Sequence, residues 1–123
     1  MLIHVSLQHT VHHRKGYSVV RLEGEPTLDE FLAFIESTGV ASRTWAPGRV
    51  LFDLRSVRTI RSADEHRRVG EAVATHLGHL ERLASVVPAD RLTRGSEKAA
   101  RDAGANLSVY TSEGEAITWL LGG

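Results

Sequence analysis

The side chains with the clearest chemical potential lie in the middle of the chain, within residues 51–65. Ser62 comes just before a segment in which apolar residues recur at helical spacing. Ser62-x-x-Glu65 has the spacing of a capping box, in which hydroxyl and carboxylate each accept a bond from a backbone amide of the first turn. This pattern predicts that Ser62 is a helix N-cap, which stabilises a helix by about 1 kcal/mol.

A second interpretation of Ser62 is a phosphorylation switch. A phosphate at a helix start would gain from the free backbone amides, and Arg58 and Arg61 could pair with it or with another anion or acidic partner. Asp64 and Glu65 would repel the same phosphate. Both interpretations stay open at this point. A switch requires Ser62→Asp to change the affinity for a native partner, so equal binding by Ser62→Ala and Ser62→Asp would exclude it.

Asp53 and three apolar side chains complete the candidate site. Asp53 follows an apolar run, and in open α/β sheets ligands gather at the carboxyl ends of strands. Alternatively, its carboxylate only binds the amides of the following loop. Trp45 lies in a loop, where an indole can anchor a partner, roof an apolar pocket or cover a sheet edge. Phe31 and Ile35 of the preceding predicted helix are the other candidates for apolar ligand or partner contact.

Two groups of histidines raise the question of a metal site. The first lies on a predicted hairpin turn and the second at a predicted helix end, where histidine complements the helix dipole. Neither group has a nearby cysteine or an evident carboxylate to complete a tetrahedral site, so we expect no metal and no cofactor. Phosphate-binding loops, nucleophile elbows and zinc-protease motifs are also absent, which argues against an enzyme. The two groups are His9, His12 and His13, and His76 and His79.

The predicted elements that position these residues alternate along the chain as β-β-α-β-α-β-α-β-α. This order predicts a single α/β domain over residues 1–123, with a mixed, mostly parallel five-stranded sheet and about four helices. The first two strands should form a hairpin at one sheet edge, so a homodimer through that edge is expected. The predicted strands are 2–8, 17–24, 49–54, 83–87 and 106–110, with a turn over 12–16, and the predicted helices are 27–39, 62–77, 91–103 and 112–121.

Composition narrows the class of protein further. The 123 residues carry 15 basic and 15 acidic side chains, so no broad nucleic-acid surface is expected. There is no cysteine, which excludes disulfides and thiolate chemistry. No apolar stretch approaches the roughly 20 residues of a membrane span, and no signal-peptide pattern is present at the start. We therefore expect a cytoplasmic protein without integral membrane association.

Four short motifs occur together over residues 15–121. They are a turn before the first predicted helix, an apolar strand that ends in a DLR-type sequence, a later apolar strand, and a terminal aromatic helix. These segments are Gly24-Glu25-Pro26-Thr27, Leu51-Phe52-Asp53-Leu54-Arg55, Leu83–Val87 and Glu115–Leu120. Their combination resembles the STAS superfamily, and more closely its bacterial SpoIIAA-like domains.

The resemblance implies a small α/β domain that does no covalent chemistry. Some such domains are switched by phosphorylation of a serine at the position of Ser62, and others are regarded as carriers of small apolar ligands. The sequence thus predicts a regulatory, protein-interaction module. The alternative is a carrier or sensor of a small apolar molecule such as a lipid, bound between residues 28–35, the Trp45 loop and residues 62–77. A carrier should contain an apolar cavity, whereas an interaction module should have a filled core.

Overall fold

A computed structural model describes residues 6–59, 61–91 and 95–122 of the chain. The strands are β1 (Leu7–Arg14), β2 (Tyr17–Gly24), β3 (Arg49–Val57), β4 (Arg82–Val86) and β5 (Leu107–Tyr110). The helices are α1 (Leu28–Ala41), α2 (Ala63–Leu77), α3 (Gly95–Asp102) and α4 (Glu113–Leu120), with single 3₁₀ turns at Ser42–Thr44 and Ala89–Arg91.

The five strands form one sheet in the order β1-β2-β3-β4-β5. β1 is antiparallel to β2, and each later strand is parallel to the one before it. Parallel neighbours need a long crossover, and α1, α2 and α3 supply one each. The predicted α/β fold with a mixed, mostly parallel sheet is therefore confirmed.

The first hairpin differs in position from its prediction. β1 continues to Arg14, beyond the predicted strand 2–8, and the turn consists of Lys15 and Gly16 alone. Gly16 has φ +90°, a conformation that a residue with a Cβ rarely adopts. β1 includes His9, His12 and His13, and these residues interrupt the apolar alternation on which the prediction was based. Residues 2–5 of the predicted strand lie outside the described residues.

Local sequence sets the starts of the helices. Thr27 and Ser62 each form a complete capping box, and the Ser112 hydroxyl accepts a bond from a first-turn amide of α4. The ends are less well predicted from sequence, because α1 passes through Gly39 to Ala41. No helix within the described ranges is long and apolar enough to cross a membrane.

Alternation along β3 divides the molecule into two layers. Val50 and Phe52 face a core packed beneath α1, α2 and α3, whereas Leu51 packs with Leu120 of α4 on the other face. Because successive side chains of a strand point to opposite faces, Asp53 shares the α4 face. The candidate side chains of β3 are therefore separated from those of α2 by the sheet itself.

α2 and α3 touch at Gly70, where there is no space for a side chain. A Cβ atom built there would lie 2.5 Å from the carbonyl oxygen of Ser96 and 2.6 Å from the Cβ of Ala99. Alanine would improve helix propensity by about 1 kcal/mol, but overpacking costs about 1–3 kcal/mol. The close approach therefore requires glycine, and it brings Ser96 next to His66, one turn before Gly70.

Candidate functional site

An apolar cavity of about 160 Å³ lies between the sheet and helices α1, α2 and α3. Phenylalanine, isoleucine, leucine and valine side chains from three directions form most of its wall. They include Phe31 and Ile35 of α1, Val69 and Val73 of α2, and Phe52 and Val109 of the sheet. A cavity of this lining favours ligands that are mainly apolar.

Polar side chains interrupt the apolar wall at a few points, among them Thr59, Arg61, Ser85 and Ser96. The side chain of Arg61 is only 11% exposed. Its Nη2 donates to the Pro26 carbonyl oxygen at 3.0 Å, and the guanidinium carbon is 5.9 Å from the ring centroid of Phe31. Arg61, predicted to pair with an anion or an acidic partner, lies in the wall of the cavity, and the anion pairing stays a prediction.

His66 connects α2 to α3 at the same wall. Its Nδ1 lies 3.1 Å from the Ser96 hydroxyl, and that hydroxyl donates to the His66 carbonyl oxygen at 3.0 Å. Burial lowers the pKa of His66, and the positive charge of Arg61 lowers it further, while Glu65 acts in the opposite direction. The net effect favours a neutral imidazole in the cavity wall.

Sequence reasoning missed both His66 and Ser96. The signal for His66 was its position three and seven residues before Val69 and Val73, which places it on the buried face of α2. Nothing in the sequence pairs Ser96 with His66, because their contact depends on the close approach of two helices at Gly70.

Ser62 is the N-cap of α2, as predicted. Its hydroxyl accepts from the Glu65 amide at 3.1 Å, and Glu65 accepts from the Ser62 amide at 3.2 Å. Arg58 is exposed and its backbone amide donates to the Gly24 carbonyl oxygen, whereas Arg61 turns toward Pro26. The cap therefore accounts for the serine by itself, and phosphorylation stays a prediction.

Asp53 occupies a different place from the one predicted. β3 continues to Val57, so Asp53 lies within the strand and not at its end, and it faces α4 rather than α2. Its carboxylate accepts from Arg21 Nη1 at 2.7 Å and from Arg55 Nε at 2.9 Å. Arg21 also donates to Glu113 at 2.8 Å, which links the strands to the start of α4. Asp53 and Ser62 do not form a common site.

Trp45 does not join the cavity lining with Phe31 and Ile35. Its ring lies 5.2 Å from that of His13, in an edge-to-face arrangement that covers the outer part of the β1–β2 hairpin. The geometry matches the sheet-edge interpretation of this indole.

The predicted histidine groups have other contacts. His9 packs against Phe34 with ring centroids 5.0 Å apart, and His79 Nε2 lies 3.0 Å from the Ser42 hydroxyl. Across the described ranges, no group of three or more histidine, aspartate or glutamate side chains is arranged to hold a metal ion.

Comparison with known proteins defines the class of domain. Residues 18–121 match the SpoIIAA-like family model, and the chain belongs to that family. An anti-sigma factor antagonist from Mycobacterium paratuberculosis has a similar structure, with a TM-score of 0.61, 19% identity and 94% of each chain covered. An uncharacterized protein with a SpoIIAA-like fold from Shewanella loihica is also similar, with a TM-score of 0.56, 13% identity and 98% of each chain covered. None of the curated proteins compared with the chain matches it.

The charge network around Asp53 yields a prediction about acid stability. Burial alone would raise the pKa of Asp53, but hydrogen bonds from Arg55 and Arg21 outweigh it and hold the pKa below the ordinary value of 3.8. A depressed carboxylate pKa stabilises the fold above the unfolded value, and this contribution is lost as pH falls through the folded value. Asp53→Asn should cost about 1–2 kcal/mol at pH 7, because both arginines keep substantial contact with water.

Denaturant unfolding of both proteins at pH 7 and at about pH 2.5 measures this effect. The difference in unfolding free energy between wild type and Asp53→Asn should shrink at the lower pH. Asp64→Asn is the matched control, because Asp64 pairs with Arg67 on an exposed face and should change stability much less. A difference that is the same at both pH values would contradict the prediction.

Proposed function

We propose that this protein is a non-enzymatic regulatory module that binds a small apolar molecule in the cavity beneath α1, α2 and α3. The observation that carries the proposal is the cavity itself, with its wall of phenylalanine, isoleucine and valine side chains. A filled core was the expectation for a module that only binds proteins. The geometry thus favours the second of the two functions predicted from the sequence.

The size of the cavity restricts the ligand. An engineered apolar cavity of about 150 Å³ binds benzene, and the present cavity has about 160 Å³. A molecule of about one aromatic ring matches that space, whereas a complete lipid would extend beyond it. We therefore narrow the predicted ligand class from lipids to small ring-sized molecules.

Protein interaction remains part of the proposed function. The structure from Mycobacterium paratuberculosis that shares this fold is described as an anti-sigma factor antagonist, which supports a protein partner for the present chain in the cytoplasm. Cross-linking in the native host followed by mass spectrometry tests this part. The absence of any reproducible protein partner would contradict it.

Filling the cavity tests the proposed ligand binding. Ser85 of β4 lines the cavity, so Ser85→Phe introduces a ring into the space that the ligand would occupy. Toluene at ten times its dissociation constant should stabilise the wild-type protein by about 1.4 kcal/mol, seen as a rise of several degrees in the unfolding midpoint. The midpoint of Ser85→Phe should not respond to toluene.

Ser37→Phe is the control for the added ring. Ser37 is exposed on α1, outside the cavity lining, so this variant should respond to toluene as the wild type does. A wild-type protein whose midpoint is unaffected by toluene and by benzene would refute ligand binding in this cavity.

We also propose that two copies associate through β1. The eight residues of β1 pair with β2 on one side, and the described residues supply no strand on its other side. Residues 7–13 contain no acidic residue, lysine, arginine or proline, the usual protection of an exposed edge. Val11 is 37% exposed at the middle of this strand. An antiparallel pair centred on Val11 would place it opposite its own copy.

The turn geometry provides a pair of substitutions that separates association from folding. Arg14 and Tyr17 flank a two-residue turn and form a hydrogen-bonded pair, so Thr10 also bonds to β2 whereas the amide of Val11 points outward. Val11→Pro should therefore keep the fold and abolish the dimer, because it removes only an outward donor. Thr10→Pro should lower stability, because it removes a bond within the hairpin. Light scattering that shows only monomer for the wild type at high concentration would contradict the proposal.

A further inference from the structure

The hydroxyl of Ser96 fixes the protonation pattern of His66. A serine hydroxyl has one proton to donate, and Ser96 donates it to the His66 carbonyl oxygen at 3.0 Å. When this bond and the 3.1 Å contact with Nδ1 of His66 form together, the Ser96 oxygen accepts from Nδ1, and Nδ1 carries the imidazole proton. In a neutral imidazole this arrangement leaves Nε2 with a free lone pair.

The surroundings keep the imidazole neutral and its acceptor available. Burial and the charge of Arg61 lower the pKa of His66, so the doubly protonated form is disfavoured near pH 7. Among the residues that the structure describes, none forms a hydrogen bond with Nε2. The side chain that carries this acceptor lines the cavity, whose wall is otherwise mainly apolar.

We infer that the cavity selects a small apolar ring that carries one hydroxyl group, of the phenol class, and that Nε2 of His66 accepts the hydrogen bond from that hydroxyl. This inference rests on the proposed binding of a small apolar ligand and specifies its chemistry. An apolar ring satisfies the phenylalanine and valine wall, and a hydroxyl can donate to Nε2, which no described residue does. A carboxylate offers only acceptors and would face that lone pair unfavourably.

Arg61 is the other side chain in the cavity wall that could determine which ligand binds. It lies in the same wall, and a guanidinium attracts carboxylates. However, its Nη2 already donates to Pro26, and Nη1 lies 3.7 Å from the carboxylate of Glu65, so its charge is partly balanced. Benzoate is therefore the probe that distinguishes recognition by Arg61 from recognition by His66.

The experiment compares the dissociation constants of phenol, toluene and benzoate for the wild type and for His66→Phe, measured by titration calorimetry. Phenylalanine keeps a ring in the wall but removes the acceptor. The affinity of phenol relative to toluene should fall about tenfold or more in His66→Phe, because the bound hydroxyl is left without a partner. Toluene should still bind this variant, which shows that the cavity and the fold survive the substitution.

Ser96→Ala tests the role of Ser96 as a positioning residue. This variant keeps the imidazole but removes the acceptor that holds the proton on Nδ1, so the other tautomer becomes populated. Phenol should lose affinity by a few fold relative to toluene. The ¹⁵N chemical shifts of His66 should change from an Nδ1-protonated pattern to a mixture of tautomers, an effect that a merely structural role would not produce.

The three ligands separate failure of the inference from failure of the proposed function. If neither toluene nor phenol binds the wild type, both the proposed function and the inference fail. If toluene binds but the phenol-to-toluene ratio is the same in wild type and His66→Phe, only the inference fails. Tighter binding of benzoate than of phenol would also overturn it, because Arg61 would then select the ligand.

Discussion

The contact between the backbones of α2 and α3 at Gly70 governs the arrangement of this molecule around its cavity. A Cβ at this position would meet backbone atoms of α3 at 2.5 Å and 2.9 Å, a distance that no side chain tolerates. The close approach places Ser96 against His66, so this polar contact in the cavity wall follows from a packing constraint.

The sheet separates two environments with different energetics. On the side of α1, α2 and α3, the core is apolar and contains an unfilled space, which loses dispersion contacts relative to a packed interior. On the side of α4, Asp53, Arg21 and Glu113 tie the strands to the start of a helix through hydrogen-bonded charges. On the same face, Leu51, Leu120 and their neighbours pack closely in an apolar cluster. This packing helps to offset the contacts that are lost around the cavity on the opposite face.

Periodicity and capping chemistry predicted the order of the elements and the helix starts, because both are local properties of the chain. The capping boxes at Thr27 and Ser62 are examples. Asp53 shows the limit of this approach. Polar residues after Leu54 suggested a strand end, yet β3 continues to Val57, because Arg55 and Ser56 are exposed while Val57 returns to the core and pairs with Gly24.

Residues of the candidate site could be predicted only where they lie on the same helix and follow its periodicity. Phe31 and Ile35 were predicted from α1, and both line the cavity, but the contact of Arg61 with Pro26 was not predicted because the two residues are distant in sequence. Ser96 was not predicted for the same reason. Contacts between residues 30 or more positions apart leave no local pattern in the sequence, and neither does the cavity that such residues enclose.

Gly70 at the α2–α3 contact and His66 one turn before it differ in the substitutions that they tolerate. Exchange at Gly70 would push α3 away from α2, so this position fixes the spacing of the two helices. Exchange at His66 removes both ring nitrogens and the contact with Ser96, but it brings no side chain between the two helix backbones. Two neighbouring turns of α2 thus separate the spacing of the helices from the polar chemistry of the cavity wall, and the second can change while the first is kept.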